Sequence, residues 1–203
     1  VYAMLATIET EHLMQGDSVN LSPDYVARMW LTERARFSYL SNGKHTINMR
    51  GMASMTLNII QRYGLEPFDA YPNYKGVNYN VMARTATQIA HAATSFDILE
   101  NRLDDALNHN IGYLPPTLFM FGVEYTPLEF AHSVCLPGEY EALTSFSHYP
   151  FNQKFVLETP DNQLRDSFMN VPLDSMMNRI EQSLRNGHPV CWEGDISEHG
   201  FNT

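Results

Sequence analysis

Residues 1–14 read VYAMLATIETEHLM. Val1, Met4, Leu5 and Ile8 recur at helical spacing, with Glu9, Glu11 and His12 beyond them, so the stretch predicts an amphipathic helix. The pattern begins abruptly, with no capping residue ahead of it. A helix N-terminus gathers unsatisfied N–H groups and positive potential, the environment that stabilises an anion or a thiolate. The expectation is that whatever group belongs there precedes residue 1.

Outward from this helix, local signals repeat. Ser22-Pro23 reads as an N-cap followed by proline at the first helical position, and Tyr25, Val26, Met29 and Trp30 give the helix an apolar face. Asn48-Met49-Arg50-Gly51 is a loop into a third helix, Met52–Tyr63, which Gly64 ends. A Pro/Tyr-rich connector, residues 66–74, follows, then a helical tendency across residues 80–110. Gly112 and Pro115-Pro116 mark the main organisational boundary. Beyond it, residues 117–125 predict a short hairpin, and Thr126-Pro127-Leu128-Glu129 predicts a capping box opening a helix to about His132. Residues 136–170 are rich in aromatics, Pro and Asn, with strand-like pieces such as Lys154–Leu157. Leu173, Met176, Met177, Ile180 and Leu184 stripe a helix that Gly187 terminates. Pro189-Val190-Cys191-Trp192 predicts a buried strand. Together these predict an α+β fold.

The composition narrows the partners. The chain has 203 residues, 44% of them hydrophobic, with 11 Phe, 11 Tyr and 11 Met, enough for a sizeable core. Thirteen Lys+Arg against 23 Asp+Glu give a formal charge of −10. Nucleic acid and anionic membranes both require a clustered basic surface, so neither is an expected partner. The apolar runs fall short of the roughly 20 residues that a membrane span needs.

Chemistry-bearing motifs are sparse. Cys135 and Cys191 form no CxxC or zinc pattern and read as inert thiols. Two Glu-x-x-His pairs, Glu9/His12 and Glu129/His132, present a carboxylate and an imidazole on one helical face, as a di-iron bundle would. Glu129, however, already has the capping-box role. No glycine-rich phosphate loop, GxSxG or HExxH occurs.

Taken together, Ala3, Ile8-Glu9-Thr10-Glu11, Leu21-Ser22-Pro23-Asp24, Gly51 with its helix to Tyr63-Gly64, and Tyr71-Pro72 resemble the papain-like cysteine peptidases. Tyr125-Thr126-Pro127, Phe130, the run Leu143–Phe151 and Pro160-Asp161-Asn162 are similar to the bleomycin hydrolase/aminopeptidase C branch. So are Pro172-Leu173-Asp174 and the run from Trp192 to Glu198. The resemblance implies a two-lobe α+β architecture: a helical lobe over residues 1–111, then a branch-specific insertion and the start of the β-rich lobe over 112–203. It implies peptide hydrolysis by a thiolate, most simply as an aminopeptidase, and no cofactor.

The same resemblance sets the nucleophilic Cys two positions before Val1, and the general-base His and its Asn partner beyond residue 203. No catalytic side chain is therefore expected within the chain. Substrate binding carries over instead. Gly51 matches the second of two glycines whose backbone pairs with an extended substrate, while Arg50 replaces the first, narrowing the groove and adding a charge. Met52 and Ala53 border the pocket for the substrate's second side chain, and Trp192 and Glu193 approach it from the other lobe. Helix packing for Met52 and core burial for Trp192 are the competing structural roles. The alternative to an enzyme is a non-catalytic homologue that binds peptides or partners. Related enzymes include ring-shaped hexamers and exported forms, so neither a homo-oligomer nor a compartment follows from the resemblance.

Overall fold

A computed structural model describes residues 1–72, 76–120 and 122–194. Its elements divide unevenly along the chain. Five helices fill the first 111 residues: α1 (Tyr2–Met14), α2 (Pro23–Leu40), α3 (Ala53–Tyr63), α4 (Tyr79–Ala92) and α5 (Phe96–Asn110). There follow β1 (Leu118–Met120), β2 (Val123–Tyr125), α6 (Pro127–Val134), β3 (Leu143–Thr144), β4 (Gln153–Val156), β5 (Ser167–Asn170) and α7 (Leu173–Arg185). The fold is α+β.

Helix α2 is the axis. The Ser22 hydroxyl accepts the Tyr25 N–H at 3.2 Å, and Pro23 occupies a position whose N–H would be unsatisfied anyway. Trp30, Leu31 and Ala35 are fully buried, and α3, α4 and α5 pack around the helix. Two arginines are buried with them. Arg28 donates to the Gly112 carbonyl at 2.6 Å, to Asp104 at 2.6 Å and to the Tyr71 hydroxyl at 3.1 Å. It thereby ties α5 and the chain beyond it to α2. Arg34 lies over the rings of Trp30 and Phe37, where attraction to the ring faces compensates part of its desolvation.

The helical tendency over residues 80–110 resolves into α4 and α5. Asn78 caps the first through the Val81 N–H and Ser95 caps the second through the Ile98 N–H. The break at Ala93-Thr94-Ser95 is the cost of giving the second helix its own cap. Gly64 adopts φ +87° at the end of α3, and the next N–H, that of Leu65, donates to the Pro127 carbonyl at 2.9 Å. Helix α6, opened by the expected Thr126/Glu129 capping box, packs against α3.

Strands β1 and β2 form the hairpin, antiparallel with Phe119 opposite Glu124. The second sheet has the order β3-β5-β4, parallel on one side and antiparallel on the other. Its pivot is the fully buried Asn170. The Asn170 amide donates to the carbonyls of Phe146, Tyr149 and Pro150 and its oxygen accepts the Phe146 N–H, folding the aromatic turn back onto the sheet.

Two expectations need correction. Residues 189–192 are not a strand, and Val190 and Trp192 are exposed. Proline at 189 lacks an N–H, and no strand lies alongside among the described residues. Trp192, 59% exposed, is therefore not a core residue. Helix α7 forms as its stripe predicts, yet none of its residues is buried. No helix among the described residues is long and apolar enough to cross a membrane.

Candidate functional site

The loop from Asn48 to Ala53 is fastened to the core at its start. The indole N–H of Trp30, buried on α2, donates to the Asn48 carbonyl at 2.9 Å. The Asn48 side-chain oxygen then accepts the Arg50 N–H at 3.0 Å. This holds the backbone in a short extended bend before α3 begins. Gly51 is exposed, and among the described residues neither its N–H nor its C=O is hydrogen-bonded. It is an open piece of backbone edge.

Helix α3 starts without a side-chain cap, because its N-cap residue is Met52. The missing acceptor comes from far along the chain. Glu193 Oε1 accepts the Ala53 N–H at 2.6 Å, where the positive end of the helix favours a carboxylate. Glu193 thus stands beside Ala53. Trp192, its neighbour in the chain, is exposed. Beyond Ala53 lies a cavity of about 490 Å³ whose lining includes Met4, Leu57, Ile180, Val190 and Cys191. In the same lining His188 is hydrogen-bonded to Glu11 (3.0 Å), and Arg179 forms an ion pair with Glu141 (2.9 Å).

The Arg50 guanidinium pairs with Asp161, with Nε 2.7 Å from Oδ1. The Arg50 carbonyl accepts the Gln163 side-chain N–H at 2.6 Å. Asp161 and Gln163 belong to the loop between β4 and β5, and sequence reasoning missed them as part of the site. A loop contact over more than 100 residues leaves no periodic trace, and only the clustering of Asn and Asp at 161–166 could have drawn attention to it.

Neither thiol is poised for chemistry. Burial pushes the Cys135 thiol up to about 11, with Glu139 adding to the effect. Burial likewise raises Cys191, against a hydrogen bond with Thr7. Both remain protonated at neutral pH and so are poor nucleophiles. The Glu-x-x-His pairs are engaged elsewhere. Glu9 accepts the Leu21 N–H at 2.7 Å, His12 bonds to Asp17 and the Val134 carbonyl, and Glu129 caps α6. Among the described residues, no three His, Cys, Asp or Glu side chains converge as metal ligands would.

No family model matches the sequence, and no curated protein matches it. Among solved structures, the chain is similar to PepW from Lactobacillus rhamnosis HN001, with 14% sequence identity and a TM-score of 0.56. The match covers 92% of this chain and 53% of that one, so the chain spans about half the length of PepW. The likeness shows a shared fold.

Proposed function

We propose that residues 1–203 are the interior of a papain-like cysteine peptidase of the bleomycin hydrolase/aminopeptidase C kind, acting on peptides and most simply as an aminopeptidase. The observation that carries this reading is Gly51. Its exposed backbone N–H and C=O have no partner among the described residues, and an extended peptide laid along them gains two main-chain hydrogen bonds, as in strand addition. Met52, Ala53 and the exposed Trp192 then flank the substrate's side chain, and Arg50 closes the other end of the edge. The fold likeness to PepW supports the same reading. In this scheme residues 1–111 are the helical lobe, and 112–203 are the insertion and the beginning of the β-rich lobe.

The chemistry requires a thiolate, supplied by a Cys just ahead of Val1 at the start of α1. The thiolate sulfur bonds to the scissile carbonyl carbon, and the C–N bond breaks as the leaving amine takes a proton from the general base. Water then cleaves the thioester, releasing the acid and regenerating the thiol. The 203 residues supply binding and position, and their own two thiols stay protonated. No cofactor enters the scheme.

A second reading is a non-catalytic homologue that binds peptides along the same edge. The two inert thiols are compatible with it. Intact mass of the natural protein, with and without an epoxide thiol inhibitor, separates the two. A chain well above 23.2 kDa that gains one inhibitor mass upstream of Val1 supports the peptidase. A natural chain that takes no label leaves a binding protein.

A further inference from the structure

The insertion between β4 and β5 does more than cover α3. Asn162 builds the loop from within, its amide donating to the carbonyls of Leu157 and Asp166 at 2.8 Å while its oxygen accepts the Asp166 N–H. Asp166 anchors it, its carboxylate accepting from the Ser54 hydroxyl and the Asn58 amide at 2.7 Å on α3. That leaves Asp161 and Gln163 facing the Arg50–Gly51 edge. Gln163 Nε2 donates to both the Arg50 carbonyl (2.6 Å) and the Asn48 side-chain oxygen (2.8 Å). Asp161 takes the Arg50 guanidinium.

We infer that residues 157–166 are a positioning clamp for the proposed peptide-binding edge, with Gln163 holding the Arg50–Gly51 backbone extended and Asp161 keeping the Arg50 side chain off the groove. The geometry is selective. The clamp occupies the carbonyl of Arg50 and the amide oxygen that fixes its N–H, while the N–H and C=O of Gly51, one residue on, are left open. An arginine in place of a small residue beside the groove would otherwise sweep a long cationic side chain across it. The carboxylate of Asp161 offsets that charge and fixes its direction. The inference rests on the peptidase reading for its consequence to substrate, and on hydrogen bonds alone for its consequence to the backbone.

The test uses the full natural protein with Gln163→Met, which keeps the side chain's length and removes its donors, and Gln163→Lys, which restores a donor. Amide hydrogen exchange reads the backbone. Gln163→Met should speed exchange about tenfold at the Arg50 amide, the one bonded through the Asn48 oxygen that Gln163 also holds, and leave the middle of α2 unchanged, and Gln163→Lys should recover part of the protection. Peptide turnover reads the consequence, with KM rising about fivefold to tenfold and kcat holding. Unchanged exchange at the Arg50 amide overturns the clamp. Faster exchange with an unchanged KM overturns its role in substrate binding. A wild-type protein that is inactive and takes no thiol label overturns the peptidase reading instead, and the exchange result still decides the clamp.

Discussion

The carboxylate of Glu193 caps helix α3 from 140 residues away, accepting the Ala53 N–H at 2.6 Å. Local sequence supplies no acceptor there, since Met52 is the N-cap. The bond therefore does two things. It satisfies a helix-terminal donor, and it ties the start of α3 to the segment that carries Trp192. Glu193→Ala should cost about 1 kcal/mol in denaturant unfolding, the usual worth of a cap. Glu193→Gln, which keeps an acceptor but loses the charge, should cost about half as much. Exchange at the Ala53 amide should rise in both, most in the alanine variant.

Glu66 gives the fold a pH dependence with a definite sign. Its side chain is fully buried, and neither carboxyl oxygen has a hydrogen-bond partner among the described residues. Desolvation pushes its pKa up to about 7 from 4.5, against the opposing field of Arg28. A raised acid pKa means the folded protein holds a proton that the unfolded chain has released. Stability from this group is complete below about pH 4.5 and is lost as pH rises through about 7. The loss should amount to about 3 kcal/mol between those limits. Glu66→Gln removes the titration, so urea unfolding from pH 5 to pH 8 should show a smaller decline for the variant than for the wild type.

The elements that were legible in the sequence are those whose signals lie within one helical turn. Ser22-Pro23, the Thr126/Glu129 box and Gly64 each fix an end through a contact spanning one to four residues, and each end stands where it was expected. Residues 80–110 were harder, because Leu99, Leu103 and Leu107 continue an apolar rhythm past the cap at Ser95 that restarts the helix. The strand read into residues 189–192 failed because a short apolar run does not say whether a neighbouring strand exists to pair with it. The site divides in the same way. Arg50, Gly51, Met52 and Ala53 were legible as a loop entering a helix. Asp161, Gln163 and Asp166 were not, because their partners lie more than 100 residues away and no periodicity records such a contact.

Arg28 is a test of how the helical half is held together. Its guanidinium is almost wholly buried and satisfies the Gly112 carbonyl and the Tyr71 hydroxyl as well as Asp104. Removing it takes from the Gly112 carbonyl one of its two donors, the other being the Tyr71 hydroxyl, and opens a cavity beside α2. Arg28→Ala should destabilise by about 3 kcal/mol or more. Asp104→Ala should cost no more than about 1 kcal/mol, because Asp104 is mostly exposed and its charge is well solvated. Chemical denaturation of the two variants side by side checks the asymmetry.

Gly64 and Gly51 differ in what a methyl group would strike. At Gly64 the backbone has φ +87°, and an added Cβ would lie 2.2 Å from the backbone of Pro127. Neither the strain nor the clash can relax without separating α3 from α6. Gly64→Ala should therefore destabilise by about 3 kcal/mol or more, measurable as a large fall in the urea midpoint.

At Gly51 the obstacle is the sulfur of Met55, 2.3 Å from an added Cβ. A thioether at the end of a flexible side chain can move aside, although Met55 is buried and its displacement repacks the start of α3. Gly51→Ala should cost about 1 kcal/mol of stability. Its effect on function should be larger than that cost suggests. The methyl group stands beside the open N–H and C=O along which the proposed substrate lies, so it obstructs close approach of a second backbone without touching any reacting group. In the natural full-length protein, KM for a peptide should rise about tenfold with kcat nearly unchanged, the pattern of lost ground-state binding. Gly64→Ala, compared at a temperature where both variants are folded, should leave KM close to the wild-type value. If the two glycines gave the same loss of KM, the effect would be that of general destabilisation, and the open backbone at Gly51 would not be the peptide-binding edge.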